Sequence, residues 1–137
     1  MLSRLLNNKT LMLANIHYDK TEDKPSVDFD AEQGCFEIKG RSLPENANSF
    51  YDPLELWLEE YAKVAKPKTE FIFRLDYFNS ASHSKLVKLL ICLEEISEKD
   101  ERVLVKWYYH EDDDLMKLRG EELESIIELP FQLLPFS

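Results

Sequence analysis

Two periodicities alternate along this chain, and together they lay out its elements. Ser26 to Asp30 reads Ser-Val-Asp-Phe-Asp and Cys35 to Lys39 reads Cys-Phe-Glu-Ile-Lys, both with a period of two. The short Ala31–Gly34 segment between them predicts a β-hairpin. Before it, the apolar stretch Leu11–Ile16 predicts an edge strand and the polar run Tyr18–Pro25 a loop. After it, Gly40 and the segment bearing Pro44 release the chain into a second loop.

The pattern then shifts to 3.6. Asp52-Pro53 predicts a helix start, with Asp52 as N-cap and Pro53 at the first helical position, where its missing N–H costs nothing. Leu54, Trp57, Leu58, Tyr61 and Ala65 follow as a buried stripe, and Lys66-Pro67-Lys68 stops it. Glu70–Phe78 is the most strand-like run: Phe71, Phe73, Leu75 and Tyr77 share one face, while Ile72 and Phe78 add apolar bulk to the other, as in a central strand. Leu86, Leu89, Leu90, Leu93 and Ile96 mark a long second helix, and Arg102–His110 another strand. Strand, helix, strand is a βαβ unit with parallel neighbours and a right-handed crossover. Asp112-Asp113-Asp114 begins a third helix carrying Leu115, Leu118, Leu123, Ile126 and Ile127, interrupted at Gly120. Leu129–Phe136 closes the chain as an extended apolar tail. The expectation is a single-domain α/β fold over residues 11–137, preceded by a loose arm over residues 1–10. Its mixed sheet combines the hairpin with the βαβ unit, and about three helices pack mainly on one face.

Composition narrows the function. With 44% hydrophobic and 12% aromatic residues the chain is a folded globule. Its 27 acidic and 17 basic side chains give a net charge of −10. A surface this acidic repels nucleic-acid backbones and anionic membranes, so the expected partners are proteins. No apolar run approaches the ~20 residues needed to span a bilayer. Cys35 and Cys92 have no CxxC partner and no nearby histidine at ligand spacing, which reads as two buried reduced thiols in the cytoplasm. Three glycines form no phosphate-cradling loop. The acidic run Asp112–Asp114 projects in directions about 100° apart and reads as a dipole-matched helix start rather than a metal site. Neither cofactor nor metal, nor catalytic residue, is expected.

Three segments carry a resemblance: Gly40-Arg41-Ser42-Leu43-Pro44-Glu45-Asn46-Ala47 with Phe50-Tyr51-Asp52-Pro53 and Trp57-Leu58-Glu59-Glu60-Tyr61; Leu75-Asp76-Tyr77-Phe78-Asn79-Ser80-Ala81-Ser82; and Trp107-Tyr108-Tyr109-His110-Glu111-Asp112-Asp113-Asp114 with Gly120-Glu121 and Leu129-Pro130-Phe131. In this order and spacing the chain resembles the SiaC family of bacterial regulatory phosphoproteins. The resemblance implies a fold like that of anti-sigma-factor antagonists (STAS-like). It also implies a phosphorylation-switched adaptor whose partners are a protein kinase, a PP2C-type phosphatase and an output protein such as a diguanylate cyclase. The family's phosphoacceptor follows the strand-ending Asn, which here makes it Ser80. His83 and Ser84 both stand before Lys85, one residue more than the family pattern has, so Ser82 and Ser84 are secondary candidates.

Sequence physics gives each of these residues a plainer role as well. Ser80, between strand and helix, would serve as a helix N-cap. Asn79 would be a turn residue that orients the loop, and Pro44, Glu45 and Asn46 would shape the loop before the first helix or dock a partner. Two other functions stay open on the residues: an anti-sigma antagonist unrelated to cyclic dinucleotides, and a small enzyme or ligand-binding domain built on the acidic cluster at Asp112.

Overall fold

The structure, a computed structural model, describes residues 6–7, 10–11, 13–98 and 102–137. Strands β1 (Leu6–Asn7) and β2 (Thr10–Leu11) pair in a two-residue antiparallel ladder, and the rest of the arm expected over residues 1–10 lies outside the described residues. The main sheet has six strands: β3 (Ile16–Tyr18), β4 (Ser26–Asp30), β5 (Cys35–Ser42), β6 (Lys68–Phe78), β7 (Arg102–His110) and β8 (Phe131–Phe136). They lie side by side in chain order. The pairings β3–β4 and β4–β5 are antiparallel, and β5–β6, β6–β7 and β7–β8 are parallel.

Three helices supply the parallel crossovers: α1 (Ala47–Tyr61), α2 (Ser80–Ser97) and α3 (Asp114–Ile126). Each crossover steps the same way across the sheet, so right-handed connections put all three helices on one face. Burial follows. Phe36 faces Phe71, which faces Val105, and all are fully buried; Glu37, Ile72 and Lys106 in the next register row are only half-buried. On that open face Lys106 pairs with Glu70 at 3.2 Å, and the Arg74 guanidinium lies over the rings of Tyr108 and Phe136.

The core runs beneath all three helices. Phe29, Phe36, Trp57, Tyr61 and Phe71 pack ring against ring at one end, and Phe73, Phe78 and Trp107 at the other. A side chain of this size contributes on the order of 2–3 kcal/mol when fully buried.

Several sequence expectations need correcting. The edge strand expected over Leu11–Ile16 is β3, displaced to Ile16–Tyr18; residues 14 and 15 are instead fastened to the core, where the Ala14 carbonyl accepts from Trp57 Nε1 at 2.7 Å and Asn15 Oδ1 from the Ala31 N–H at 2.9 Å. Helix α1 begins at Ala47, not at Pro53. Asn46 is its N-cap, accepting from the Ser49 N–H at 3.1 Å, and this earlier nucleus carries Pro53 inside the helix on its exposed side. The helix also ends at Tyr61, short of Ala65 and the Lys66-Pro67 stop.

Gly40 does not end its strand. It sits within β5 at φ 115°, beside a bulge: Gly40 faces Leu75 and Arg41 faces Tyr77, so Asp76 is the extra residue in β6. The bulge reverses the alternation that predicted Tyr77 inward and Phe78 outward; Phe78 is buried and Tyr77 is 42% exposed. Gly120 does not interrupt α3 but packs it against the sheet, since a Cβ there would lie 2.4 Å from Trp107 Cδ1. The buried stripe of α3 is accordingly Met116, Gly120 and Leu123, and Leu115, Leu118 and Ile126 point to solvent. The apolar tail is a sixth strand, with Phe131 and Leu133 packed on the core.

Candidate functional site

In a parallel sheet every strand ends at the same edge, and the following helices begin there; such carboxyl edges are where α/β folds bind ligands. Asn46, Asn79 and Asp113 cap the three helices at this edge. Asn79 Oδ1 accepts from the Ser82 N–H at 2.9 Å, which makes Asn79 the N-cap of α2. The capping role expected for Ser80 therefore belongs to its neighbour, and Ser80 is the first helical residue. Its side chain is exposed and its hydroxyl has no hydrogen-bond partner among the described residues. The backbone N–H groups of the first helical residues have no partner within the helix, and together with the helix dipole they suit an anionic group.

Ser82 is the opposite case. It is fully buried, its Oγ 2.8 Å from Ser42 Oγ and donating to the Ser42 carbonyl at 3.1 Å. Ser42 Oγ in turn lies 2.6 Å from the Tyr51 hydroxyl, and the Asn79 N–H donates to the Ser42 carbonyl at 3.2 Å. Burial pushes the Tyr51 phenol up to about 12, so it stays protonated. This network joins β5, α1 and the first turn of α2 and fixes the backbone that displays Ser80. One turn on, the buried Lys85 Nζ donates to Asp52 at 2.9 Å, again linking α2 to α1. Asp52, expected as a cap, is thus the partner of a buried ammonium. Ser84 is exposed.

Ser80 stands on the wall of a groove of about 620 Å³ between the start of α2 and α3. Tyr77, Phe78, Asn79 and His83 line it from one side, and Leu115, Arg119, Glu122, Ser125 and Ile126 from the other. Tyr77, Leu115 and Ile126 are 42%, 43% and 55% exposed, which leaves large apolar side chains unburied beside the serine. The guanidinium lining the groove, that of Arg119, is held by Glu122 at 2.9 Å. Of the loop expected to dock a partner, Pro44 is buried; Glu45 and Asn46 line a separate groove with Tyr18, Asp23 and Phe50. The α3 wall of the Ser80 groove was missed in the sequence. Its signal is two apolar residues of α3, Leu115 and Ile126, that do not fall on the Met116–Gly120–Leu123 stripe.

In the acidic cluster the Asp113 carboxylate caps α3, its Oδ1 accepting from the Met116 N–H at 3.0 Å, while the backbone N–H of Asp112 donates to His110 Nδ1 at 3.1 Å. Cys92 is buried and Cys35 only half-buried on the open sheet face, where burial and Glu70 push its thiol up. No helix among the described residues is long and apolar enough to cross a membrane.

The pattern of the SiaC family regulatory phosphoprotein matches residues 18–136. A protein of Pseudomonas aeruginosa strain UCBPP-PA14, itself uncharacterized, is 24% identical over 88% of this chain and 96% of its own length. The crystal structure of apo-SiaC from Pseudomonas aeruginosa superposes with a TM-score of 0.82 at 24% identity, covering 88% of this chain and 98% of that one. SiaC of the same organism in complex with the diguanylate cyclase SiaD, which it activates, gives 0.84 at 24% identity over 88% and 99%.

Proposed function

The chain belongs to the SiaC family of regulatory phosphoproteins, and on that footing we propose that it is a non-enzymatic adaptor whose binding of an output protein is switched by phosphate on Ser80. The observation that carries the reading is the position of that hydroxyl: exposed, without a hydrogen-bond partner among the described residues, and on the rim of a groove whose apolar walls are uncovered. A protein kinase would add the phosphate and a PP2C-type phosphatase remove it. The output protein is a diguanylate cyclase, by analogy with the SiaC–SiaD complex.

The switch follows from charge and shape. Phosphate brings about 1.5–2 negative charges and three acceptor oxygens. At the first residue of α2 it meets N–H groups and the positive helix end, so the fold accommodates it. The cost falls on the interface, where a partner covering Tyr77, Leu115 and Ile126 would have to desolvate the phosphate. Arg119 on the facing wall is positioned to leave Glu122 for the phosphate and draw it across the groove.

The test compares the wild-type chain with Ser80→Ala and Ser80→Asp for binding to the host's diguanylate cyclases. Ser80→Ala should bind as wild type does and Ser80→Asp at least tenfold more weakly, about 1.4 kcal/mol, with melting temperatures alike. Equal binding by all three proteins would refute the switch.

A further inference from the structure

On the outer side of the α1–α2 contact, far from the Ser80 groove, Glu55 and Glu59 of α1 and Cys92 of α2 bring their ligand atoms within 4.8 Å of one another. The two glutamates stand at i and i+4, one above the other on the same helical face. Like charges at this spacing repel, and among the described residues neither carboxylate has a lysine or arginine partner. Cys92 is 7% exposed, and no other described residue hydrogen-bonds its Sγ, which is aimed at the two carboxylates. Burial first, and after it the carboxylates of Glu55, Glu59 and Glu95, push its thiol up to about 12.

We propose that Glu55, Glu59 and Cys92 form a binding site for a divalent transition-metal ion of the zinc class. The donor set selects the metal. A thiolate favours zinc-like ions over magnesium or calcium, and carboxylates accept the same ions. Three protein donors leave a fourth, open position for water. Zinc holds sulfur at about 2.3 Å and carboxylate oxygen at about 2.0–2.2 Å, so tetrahedral ligands lie about 3.3–3.7 Å apart; rotation of the exposed Glu59 and half-buried Glu55 closes the remaining gap. The ion binds as the thiol proton leaves to solvent, replacing one positive charge with two beside the two carboxylates.

Occupancy would pin α1 to α2. Cys92 lies twelve residues along α2 from Ser80, about 18 Å along the helix axis, so the ion would not enter the partner groove. No local Cys/His spacing in the sequence announces this site, because its donors come from two helices.

The experiment titrates the reduced full chain with Zn²⁺ by calorimetry and with Co²⁺ by absorption. One ion per chain is expected, with proton release and a near-ultraviolet thiolate-to-cobalt band. Zn²⁺ should raise the melting temperature of the wild type and of Cys35→Ser. Glu55→Gln and Glu59→Gln, both at accessible positions, should weaken binding at least about tenfold, and Cys92→Ser should lose the cobalt band. Undiminished affinity in both glutamine variants, or cobalt binding without the thiolate band, would overturn the site; the glutamine variants decide the matter even if Cys92→Ser fails to fold.

Discussion

Ser80 and Ser82 lie two residues apart on one helix, yet their hydroxyls face opposite chemistry. That of Ser80 is exposed and unbonded, and that of Ser82 is enclosed between Ser42 and the start of α2. A kinase active site can reach the first without disturbing the fold, and the second only by breaking a buried network. Mass spectrometry after reaction with the cognate kinase and ATP should therefore place phosphate on Ser80, and its appearance on Ser82 would require a different presentation of this turn. Gly120 makes a sharper demand. Alanine there would set a Cβ 2.4 Å from Trp107 Cδ1 and 2.6 Å from Nε1, the nitrogen that donates to the Met116 carbonyl. Gly120→Ala should destabilise the protein by about 1–3 kcal/mol through overpacking, read as a lower denaturation midpoint with loss of native tryptophan fluorescence.

Among the elements, β3 is a short edge strand, and its pairing with β4 carries a titrating contact. His17 Nδ1 meets Asp28 at 2.5 Å and Nε2 meets Asp19 at 2.9 Å, and hydrogen bonds to Asp28 and then Asp19 hold the imidazole above its usual range. A raised folded pKa means that the contact adds stability below the unfolded value of about 6.5, and that this stability is lost as pH rises through the folded value. Proton NMR should show the His17 midpoint above the ordinary histidine range in the wild type, and Asp28→Asn should bring it down. The ring is exposed, so the effect is local. Element existence was legible because period two and period 3.6 are written by burial on one side only: the hairpin, the central strand and the βαβ unit all follow from it. Boundaries were not, because they depend on single bonds. Asn46 and Asp52-Pro53 both look like a helix start, and the bond from the Ser49 N–H to Asn46 places it at the earlier one. The same holds at the site, where the Asn79-Ser80 pair was visible, but which of the two caps α2 was a matter of geometry. The bulge at Asp76 is invisible to a strict alternation, and it decides that Tyr77 faces the groove.

For the molecule as a whole, the two tryptophans report on opposite ends of one core. Trp57 packs with Phe29, Phe36 and Tyr61, and Trp107 with Phe73 and Phe78. Phe71 touches Phe36 on one side and Phe73 on the other, bridging the two groups. Single-tryptophan variants made by Trp57→Phe and Trp107→Phe should each unfold in one transition by fluorescence that coincides with the loss of helix by circular dichroism. Separate transitions by the two probes in either variant would divide the chain into two cooperative units.

The strictly serial order of the main sheet also bears on how the molecule assembles. Each strand finds its sheet neighbour either across a turn or across one helix, so no pairing waits for a distant part of the chain to arrive. Loop-closure entropy grows only slowly with the length of such connections, but the parallel ladders β5–β6, β6–β7 and β7–β8 each close across a whole crossover and are the slower pairings to form. The sheet can therefore grow outward by accretion from the β5–α1–β6 unit, each new strand meeting an edge already formed. The chief hazard of that route is the edge itself, since an intermediate lacking β8 would present the unpaired backbone of β7 and an uncovered Trp107 to any other chain.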